Sequence, residues 1–380
     1  MKAGWHKKKL GDVLKLEYGK PLDATNRNPN GLYPVYGANG EKDRSDSFFY
    51  DKPSIIVGRK GSAGEVNLTE ERFWPLDVTY YVTFDEKNYD LQFLYYLLLH
   101  LELPNLAKGV KPGINRNEVY SLSVNISSLP EQQRIVAILD EAFEAIAAAR
   151  ANAEQNRQNA RALFESYLQS VFSQRGDGWI NKPLSELCDI KHGFAFKSEY
   201  FTNEGDYTLL TPGNFFETGG YRDRGDKQKF YSGDIPQGFL LEAGDLLVAM
   251  TEQAAGLLGS PIIVPSQGKF LHNQRLGLIS GKPGIPWLNE FFFHVFNTQA
   301  VRQAIHESAS GAKVRHTSPT KIGAVTVAFP ASIEEQKAIV ATLDTLTIET
   351  QRLESLYQRK IAALDELKQS LLQQAFSGQL

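Results

Sequence analysis

Two sets of glycine-containing loops carry the side chains best suited to chemistry in this 380-residue sequence. These side chains are cationic or bear amides, hydroxyls or an imidazole, and such groups hydrogen-bond base edges and phosphate oxygens. In the first half of the chain they are Arg59, Lys60, Ser62, Lys108, Lys111, Asn115 and Arg116. In the second half they are Thr251, Gln253, Asn273, Arg275, Lys313, Arg315 and His316. We expect these residues to be candidate contacts to nucleic acid.

Motifs for catalysis are missing from the sequence. No glycine-lysine pair continues with Ser or Thr as a phosphate-binding loop requires, and no Gly-x-Gly-x-x-Gly occurs. There is no Pro-Pro pair, so the motif with which amino-methyltransferases grip a flipped base is absent. The histidines lack the i, i+4 spacing of a helical metal pair, and Cys188 is the single cysteine. We therefore expect no catalytic, cofactor-binding or metal-binding residues in this chain.

A duplicated helix is the element most able to position the loops. Glu131 to Asp140 (EQQRIVAILD) matches Glu335 to Asp344 (EQKAIVATLD) at an offset of 204, with seven of ten residues identical. The same offset relates Phe172-Ser173 to Phe376-Ser377, so the register holds without a gap. Neither copy contains Gly or Pro, and apolar residues recur every three or four positions. The pattern predicts two helices, each about 60 Å long for about 40 residues.

The two predicted helices carry complementary heptad seams. The seam of the second copy is Leu346, Thr350, Leu353, Tyr357, Lys360, Leu364, Leu367 and Leu371. The equivalent positions of the first copy are Ala142, Ile146, Ala149, Ala153, Asn156, Ala160, Leu163 and Tyr167. Since small residues on one helix match large residues on the other, we expect the helices to pack on each other and to act as a spacer.

The regions before each helix also repeat. Gly4-Trp5 and Gly19 match Gly178-Trp179 and Gly193 at an offset of 174, so the second region gains 30 residues before the helix copies resume at 204. We expect the gain to lie among loops. Short β-branched and aromatic runs separated by turns predict strands, and Asp90 to Leu101 predicts a buried helix. The predicted organisation is α+β: a globular domain over 1–128, a long helix over 129–175, a second domain over 176–330 and a long helix over 331–380.

Composition limits the function classes. Basic and acidic residues nearly balance at 41 and 44, for a formal net charge of −3, which argues against tight unaided binding to nucleic acid. A single cysteine fits a reducing compartment. The longest apolar run, Phe93 to Leu99, is too short to span a bilayer, and the N-terminus has no signal-like apolar stretch. We expect a soluble cytoplasmic protein without a membrane partner.

The sequence resembles the specificity subunits of type I restriction-modification systems over its full length. The resemblance rests on the EQQRIV and EQKAIV helix starts, the AFSGQL ending, YPVYGANG, TPGNF, VGRKGSAG with WPLDVTYYV, and KPGINRNEV before LPEQQRIV. It implies two target-recognition domains, inverted relative to each other by an antiparallel coiled coil of two conserved helices. That arrangement would give an internal pseudo-twofold that matches duplex DNA while allowing two different half-sites.

The resemblance also implies partners and a division of labour. A non-catalytic specificity subunit would recognise a bipartite target in double-stranded DNA and bind two modification (methyltransferase) subunits. Those subunits would supply adenine-N6 methylation with S-adenosylmethionine, and restriction subunits, bound through them, would supply ATP- and Mg²⁺-dependent translocation and cleavage. The chain itself would hold no cofactor.

Two other function classes are compatible with the residues. One is a self-contained DNA-modifying or DNA-cleaving enzyme whose site has no familiar motif. The other is a coiled-coil adaptor whose two β-rich domains bind protein or glycan. Binding to DNA with and without a modification subunit would separate all three hypotheses.

Overall fold

Each half of the sequence folds into an α+β unit that is completed by segments of both long helices. The computed structural model describes residues 4–176, 178–252, 256–311 and 313–380. Unit 1 comprises Met1–Asn156 and Leu356–Leu380, and unit 2 comprises Arg157–Ser355.

Unit 1 is built on a four-stranded antiparallel sheet of short, β-branched strands. Its elements are β1 (His6–Lys9), α1 (Leu10–Val13), β2 (Leu14–Tyr18), β3 (Tyr33–Gly37), β4 (Gly40–Ser45), β5 (Ser54–Gly58), β6 (Val66–Thr69), β7 (Trp74–Pro75), β8 (Thr79–Phe84), α2 (Leu91–His100), α3 (Arg116–Tyr120), β9 (Ser123–Ile126) and the start of α4 (Leu129–Gln174). The main sheet has the order β2-β8-β5-β6, and a smaller sheet has the order β4-β3-β7. All five residues of β5 are buried, as a central strand of apolar residues requires.

The buried helix that the sequence predicts is α2. Asp90 caps it, since its side chain accepts a hydrogen bond from the Phe93 backbone N–H at 2.9 Å. Phe93, Leu94 and Leu97 then face the same core as the main sheet. The helix therefore packs on one face of the sheet.

Unit 2 repeats this frame. Its elements are β10 (Trp179–Pro183), α5 (Leu184–Leu187), β11 (Cys188–His192), β12 (Phe201–Thr202), β13 (Tyr207–Leu210), β14 (Phe230–Tyr231), β15 (Leu240–Leu241), β16 (Leu246–Ala249), β17 (Thr251–Glu252), β18 (Pro261–Ile263), β19 (Lys269–His272), β20 (Leu276–Gly281), α6 (Asn289–Asn297), α7 (Gln299–Ser308), β21 (Arg315–His316), α8 (Pro319–Gly323), β22 (Thr326–Pro330) and the start of α9 (Ile333–Ser377). The main sheet β11-β20-β16-β18 has the strand order of its counterpart in unit 1. The parallel pair β13 and β19 corresponds to the parallel pair β3 and β7 of unit 1.

The additional residues of unit 2 form strands as well as loops, contrary to the expectation. The region between β13 and β16 is longer than its counterpart in unit 1. In the five-stranded sheet β12-β14-β13-β19-β15, β14 takes the place of β4, and β15 is an added strand beside β19. The added segment brings an apolar residue of its own to this sheet, since Leu241 of β15 is buried. A further helix, α7, follows α6.

Within each unit the two long helices run antiparallel. In unit 1, Arg134 donates to the backbone oxygen of Leu380 at 2.9 Å, and Arg150 pairs with Asp365 at 3.2 Å. In unit 2, Arg161 pairs with Glu354 at 2.7 Å, and Phe172 packs in the cluster that contains Val340. In both units, residues further along α4 contact residues nearer the start of α9. This confirms the predicted pairing of the duplicated helices as an antiparallel coiled coil.

The predicted heptad seam is wrong at alternate positions. Leu353 and Leu367 are exposed, whereas Ile361, one residue beyond the predicted Lys360, is buried. On α4 the predicted Leu163 is 70% exposed, and Leu168 replaces Tyr167 in the buried stripe. Two apolar stripes along α9 are possible from the sequence, because leucines lie on more than one face of this helix. The two stripes have every second position in common. Along the observed stripe α4 buries Ala153 and Ala160, and Arg150 and Arg161 pair with Asp365 and Glu354 of α9.

A buried glutamine in the duplicated motif joins each long helix to the globular part before it. Gln132 Nε2 donates to the backbone oxygens of Ser127 and Asn88 at 2.9 and 3.1 Å, and its Oε1 accepts from the Asp90 N–H at 2.9 Å. Gln336, at the offset of 204, donates in the same way to Pro330 and Pro286. Both side chains have no exposed surface. The motif is therefore repeated because it holds the helix to the segment that precedes α2 or α6.

A carboxylate two turns further along each helix contacts the same buried helix. Asp140 accepts a hydrogen bond from the Tyr96 hydroxyl of α2. Its equivalent Asp344 lies 3.7 Å from Nε2 of His294 in α6. Burial lowers the pKa of His294, and Asp344 offsets part of that effect.

No helix in the described part of the chain is both long and apolar enough to cross a membrane.

The substitution Gln132→Leu tests the glutamine junction. We expect unit 1 to lose roughly 2–4 kcal/mol of unfolding free energy, because a buried N–H and two carbonyls lose their partner. The measurement is denaturant unfolding followed by hydrogen exchange of unit 1 peptides. Gln133→Leu is the matched control, since Gln133 is exposed and should change stability by less than about 0.5 kcal/mol. Equal effects of the two substitutions would contradict the assignment.

Candidate nucleic-acid interface

Three loops meet at the end of the main sheet in each unit. In unit 1, loop A (59–65) follows β5, loop B (76–78) joins β7 to β8, and loop C (107–115) precedes α3. In unit 2, the described parts of loop A (250–252 and 256–260) follow β16, loop B (273–275) joins β19 to β20, and the described parts of loop C (309–311 and 313–318) precede α8. Twelve of the fourteen predicted residues lie in loops A, B and C, Arg116 is the first residue of α3, and Gln253 is not among the described residues.

Backbone hydrogen bonds connect the loops of unit 1. Gly61 N–H donates to the Pro112 oxygen at 2.9 Å, and Ile114 N–H donates to the Arg59 oxygen at 3.2 Å, which joins loops A and C. Arg59 N–H donates to the Val78 oxygen at 2.8 Å, which joins loops A and B. The predicted residues of the first half, although about 50 positions apart, therefore share one surface.

Equivalent bonds connect the loops of unit 2. Strand β17 in loop A pairs with β21 in loop C, so that Thr251 lies opposite His316. Met250 N–H donates to the oxygen of Arg275 in loop B at 2.9 Å. The frame of the interface is thus the same in both units, and its side chains differ.

A glycine at the end of one strand makes the close approach of loop B possible. A Cβ on Gly19 would lie 2.1 Å from the Leu76 oxygen, and a Cβ on Gly193 would lie 2.0 Å from the Asn273 oxygen. No side chain fits at such distances. These are the glycines that match at the offset of 174, so the repeat preserves the packing of β2 and β11 against loop B.

Two arginines of unit 1 share one aromatic ring. The guanidinium carbons of Arg59 and Arg116 lie 5.4 and 5.0 Å from the ring centroid of Tyr18, the last residue of β2, which is 48% exposed. Tyr80 packs against the same ring with centroids 5.1 Å apart. Burial, and then a hydrogen bond with Tyr18, raises the pKa of Tyr80 to about 12. The Tyr18 ring is therefore packed against Tyr80 while the two cations lie over it.

The other predicted residues of unit 1 differ in how firmly they are held. Lys108 pairs with Glu118 at 2.7 Å. Asn115 caps α3, since its Oδ1 accepts from the Asn117 N–H at 2.8 Å. Lys60 and Lys111 are exposed, and Ser62 is half-buried.

A buried carboxylate organises the interface of unit 2. Glu252 is 2% exposed, and its Oε2 accepts from the backbone N–H groups of Gly256, Leu257 and Leu258 at 2.9 to 3.1 Å. Its Oε1 lies 2.8 Å from Nε2 of His306 in α7. Charge-assisted bonds of this kind are about twice as strong as neutral ones. Glu252 therefore fixes loop A onto α7.

The same histidine immobilises Arg315. Arg315 Nη1 donates to the His306 Nδ1, and Nη2 donates to the His306 backbone oxygen. Because a guanidinium can only donate, Nδ1 of His306 is the acceptor and Nε2 carries the proton that faces Glu252. The charged end of Arg315 is thus already occupied within the protein.

The remaining predicted residues of unit 2 are placed as follows. Asn273 is buried, and its Oδ1 accepts from the Arg275 N–H at 3.1 Å. Arg275 and Lys313 are exposed, and the exposed His316 contacts the Thr251 hydroxyl through Nδ1 at 3.3 Å. Gln253 lies outside the described residues.

Three residues that organise these surfaces were not predicted from the sequence: Tyr18, Asp77 and His306. Asp77 contributes a backbone oxygen, which accepts from Arg59 Nη2 at 2.6 Å. Tyr18 does carry a signal, since it precedes the repeated Gly19. His306 is 54 positions from Glu252, and nothing in the sequence connects them. Within the described ranges, no group of three or more His, Cys, Asp or Glu side chains could hold a metal ion.

Burial also perturbs a histidine that flanks loop B of unit 2. His272 has no exposed surface, and its Nε2 donates to the Leu276 oxygen at 3.0 Å. Desolvation lowers its pKa to about 4, and the neighbouring Lys191 and His192 act in the same direction. His272 is therefore neutral at pH 7, and charging it opposes folding.

The family model described as the type I restriction modification DNA specificity domain matches residues 2–155 and 176–361. The chain belongs to this family. Both matched ranges contain one set of loops A, B and C, so the duplication found in the sequence is a duplication of the specificity domain. The resemblance stated from the sequence motifs is confirmed.

Named relatives agree with the family. The chain is 27% identical over 223 residues to the Type I restriction enzyme EcoBI specificity subunit of Escherichia coli, a match covering 58% of this chain and 43% of that one. It is 23% identical over 213 residues to the Type I restriction enzyme EcoKI specificity subunit of Escherichia coli K12, covering 54% and 44%. The chain thus spans less than half the length of these relatives. Their names agree with the prediction of a specificity subunit.

Solved structures show the same fold. A chain from a study of complex assembly and conformational transition of the type I R-M system superposes with a TM-score of 0.77 at 18% identity, covering 100% of this chain and 99% of that one. The HsdS subunit from Thermoanaerobacter tengcongensis gives a TM-score of 0.60 at 17% identity, with 100% and 98% covered. The predicted α+β class with two similar domains and two long helices is confirmed.

Acidification tests the burial of His272. A histidine whose pKa falls from 6.5 to about 4 on folding contributes stability that is complete above the unfolded pKa and declines as the pH falls below it. We expect unit 2 to lose about 3 kcal/mol between about pH 6.5 and pH 4 from this residue. Hydrogen exchange of unit 2 peptides in denaturant measures the loss. His272→Phe should flatten the pH dependence and His316→Gln, at an exposed histidine, should not; the same slope in all three proteins would contradict the assignment.

Glu252→Gln tests the anchor of loop A in unit 2. We expect faster hydrogen exchange at Gly256 to Leu258 and a loss of about 2–3 kcal/mol, because three N–H groups lose a charged acceptor and an amide faces the His306 N–H. Glu307→Gln is the matched control on α7, since Glu307 is exposed. Unchanged exchange at these three amides in Glu252→Gln would show that the loop is held by other contacts.

Proposed function

We propose that this chain is the DNA sequence-specificity subunit of a type I restriction-modification complex. In this proposal each unit recognises one half of a bipartite target in double-stranded DNA. The observation that carries it is that loops A, B and C converge at the same place on the same frame in both units while their side chains differ. A common frame with different side chains suits two half-sites of different sequence.

The chain would depend on modification subunits for tight binding. Its net charge of −3 supplies no general attraction to phosphates. The proposal therefore includes two modification subunits that clamp the duplex and methylate adenine at N6 with S-adenosylmethionine. Restriction subunits, bound through them, would use ATP and Mg²⁺. Leucines that the helix pair leaves exposed, among them Leu163 and Leu353 in unit 2 and Leu356 and Leu367 in unit 1, offer apolar surface for docking.

The experiment that tests this proposal compares the purified chain with and without its modification subunits. We expect the chain alone to be inert on DNA with S-adenosylmethionine, Mg²⁺ and ATP, and the complex to bind and methylate one defined bipartite site. Methylation by the chain alone would favour a self-contained enzyme. Absence of DNA binding by the complex would favour an adaptor for protein or glycan.

Paired lysine substitutions test the assignment of one half-site to each unit. Lys60 in loop A of unit 1 and Lys313 in loop C of unit 2 are both exposed. We expect Lys60→Ala to relax or abolish recognition of one half-site, by roughly ten- to hundred-fold in discrimination, and Lys313→Ala to affect the other. Mapping of methylated sites with the complex measures both. An equal loss for unrelated DNA sequences would reassign these lysines to phosphate contacts.

A further inference from the structure

We propose that the half-site recognised by unit 1 contains guanine, and that Arg59 and Arg116 bind its major-groove edge while Tyr18 holds both arginines in position. This inference rests on the proposed function and specifies the chemistry that one unit recognises. It is carried by the convergence of Tyr18, Arg59 and Arg116, here called the arginine pair site.

The arginine pair site concentrates positive charge without a counter-ion. Arg59 comes from loop A and Arg116 from the start of α3, yet both guanidinium groups lie over one ring. Among the described residues, neither arginine has a carboxylate within ion-pairing distance. Two like charges brought together in this way favour a ligand that presents electronegative atoms to both.

Each arginine is oriented and still has donors to offer. Arg59 Nη2 donates to the Asp77 backbone oxygen at 2.6 Å, and Arg116 Nη1 donates to the Leu16 backbone oxygen at 3.3 Å. A guanidinium has five N–H groups, so most of those of Arg116 and Nη1 of Arg59 remain for a ligand. A planar fork held by a ring and one backbone bond has little rotamer freedom left to lose on binding.

Guanine is the base that fits such a fork. Its major-groove edge presents two acceptors, N7 and O6, which match two parallel N–H groups of one arginine, and this is the commonest specific contact between proteins and DNA. A phosphate would accept the same donors, but it would not select a sequence. In the described part of unit 2, Arg315 does not form an equivalent site, because both of its terminal nitrogens are bound to His306.

Tyr18 acts as a positioning residue in this proposal. Its ring packs against that of Tyr80 in the adjacent strand, where the two tyrosines are register partners. Loss of the Tyr18 ring would remove the surface that the two guanidinium groups share, leaving Arg116 with the Tyr120 ring at 5.9 Å and each arginine with one backbone bond. Loss of the hydroxyl alone would keep that surface.

The test uses DNA in which one atom is changed and the protein is left intact. The full chain in complex with its modification subunits is titrated with duplexes that carry the mapped target, in which single guanines of the unit 1 half-site are replaced by 7-deazaguanine. The analogue lacks the N7 acceptor. We expect roughly ten-fold weaker binding at one or two guanines, and no loss with inosine, which keeps N7 and O6.

Arginine variants then link the effect to the site. In the Arg59→Lys or Arg116→Lys complex, the ratio of affinities for guanine and 7-deazaguanine at one position should fall to about one, because lysine cannot form the fork. Tyr18→Leu should reduce the same ratio and Tyr18→Phe should preserve it. Arg72→Lys is the matched control, since Arg72 lies over the Phe48 ring at 5.0 Å in the same unit, and should leave the ratio unchanged.

Three outcomes would overturn the inference. One is a unit 1 half-site, assigned with Lys60→Ala, that contains no guanine on either strand. Another is a 7-deazaguanine effect that persists unchanged in both arginine variants. The third is an equal loss of binding to all sequences, which would assign the arginines to phosphates. Each of these leaves the proposed function intact, whereas a complex with no defined site at all would remove both proposals.

Discussion

The structure depends on two buried glutamine side chains. Gln132 and Gln336 sit in the first turn of the long helices, and each satisfies backbone groups from two segments of the globular part before it. Gln132 bonds through both Nε2 and Oε1, whereas Gln336 bonds through Nε2 and its buried Oε1 has no hydrogen-bond partner among the described residues. Each amide joins the start of a long helix to two backbone segments, so rotating the side chain would leave buried polar groups without partners. Apolar packing against α2 or α6 stabilises the same junction.

From that constraint follows a division between what is repeated and what varies. The main sheet, the parallel strand pair, the glycine beside loop B and the carboxylate facing α2 or α6 occur in both units. The loops differ in how they are held: unit 1 places two cations over a tyrosine, whereas unit 2 buries a carboxylate under a histidine and an arginine. Since the frame already supplies the core, the loops can change without loss of the fold.

Much of this was predictable from the sequence, and the limits have physical causes. The offset of 204 predicted the two helices and their pairing, because a duplicated motif and an unbroken apolar pattern are local properties of the chain. The predicted heptad seam was correct at only about half of its positions. Two overlapping leucine stripes are possible on α9, and the choice between them depends on which α4 side chains lie opposite, such as Ala153 and Ala160. The sequence of one helix does not give that information. The additional strand β15 was missed because a pair of apolar residues among turns resembles a loop.

The candidate interface followed the same rule. Charged residues in glycine-containing loops were recognisable, and the structure brings them together as three loops in each unit. The residues that orient them were harder to recognise. Tyr18 is marked only by the repeated Gly19 that follows it and otherwise has the pattern of an ordinary strand residue, and the contact of Glu252 with His306 joins distant parts of the chain. Asn273 was predicted as a base contact because of its side-chain amide. In the structure this side chain is buried and accepts a hydrogen bond within its own loop.

The composition of unit 1 from two separate stretches of chain has a consequence for biosynthesis. Leu372, Ala375 and Phe376 lie in the same apolar cluster as Phe93 and Leu139, although more than 230 residues separate Leu139 from Leu372. Unit 2 is continuous, so it can fold as soon as Ser355 has left the ribosome. Unit 1, most of which is translated before unit 2, keeps part of its core exposed to solvent until Leu372, Ala375 and Phe376 of α9 have been synthesised.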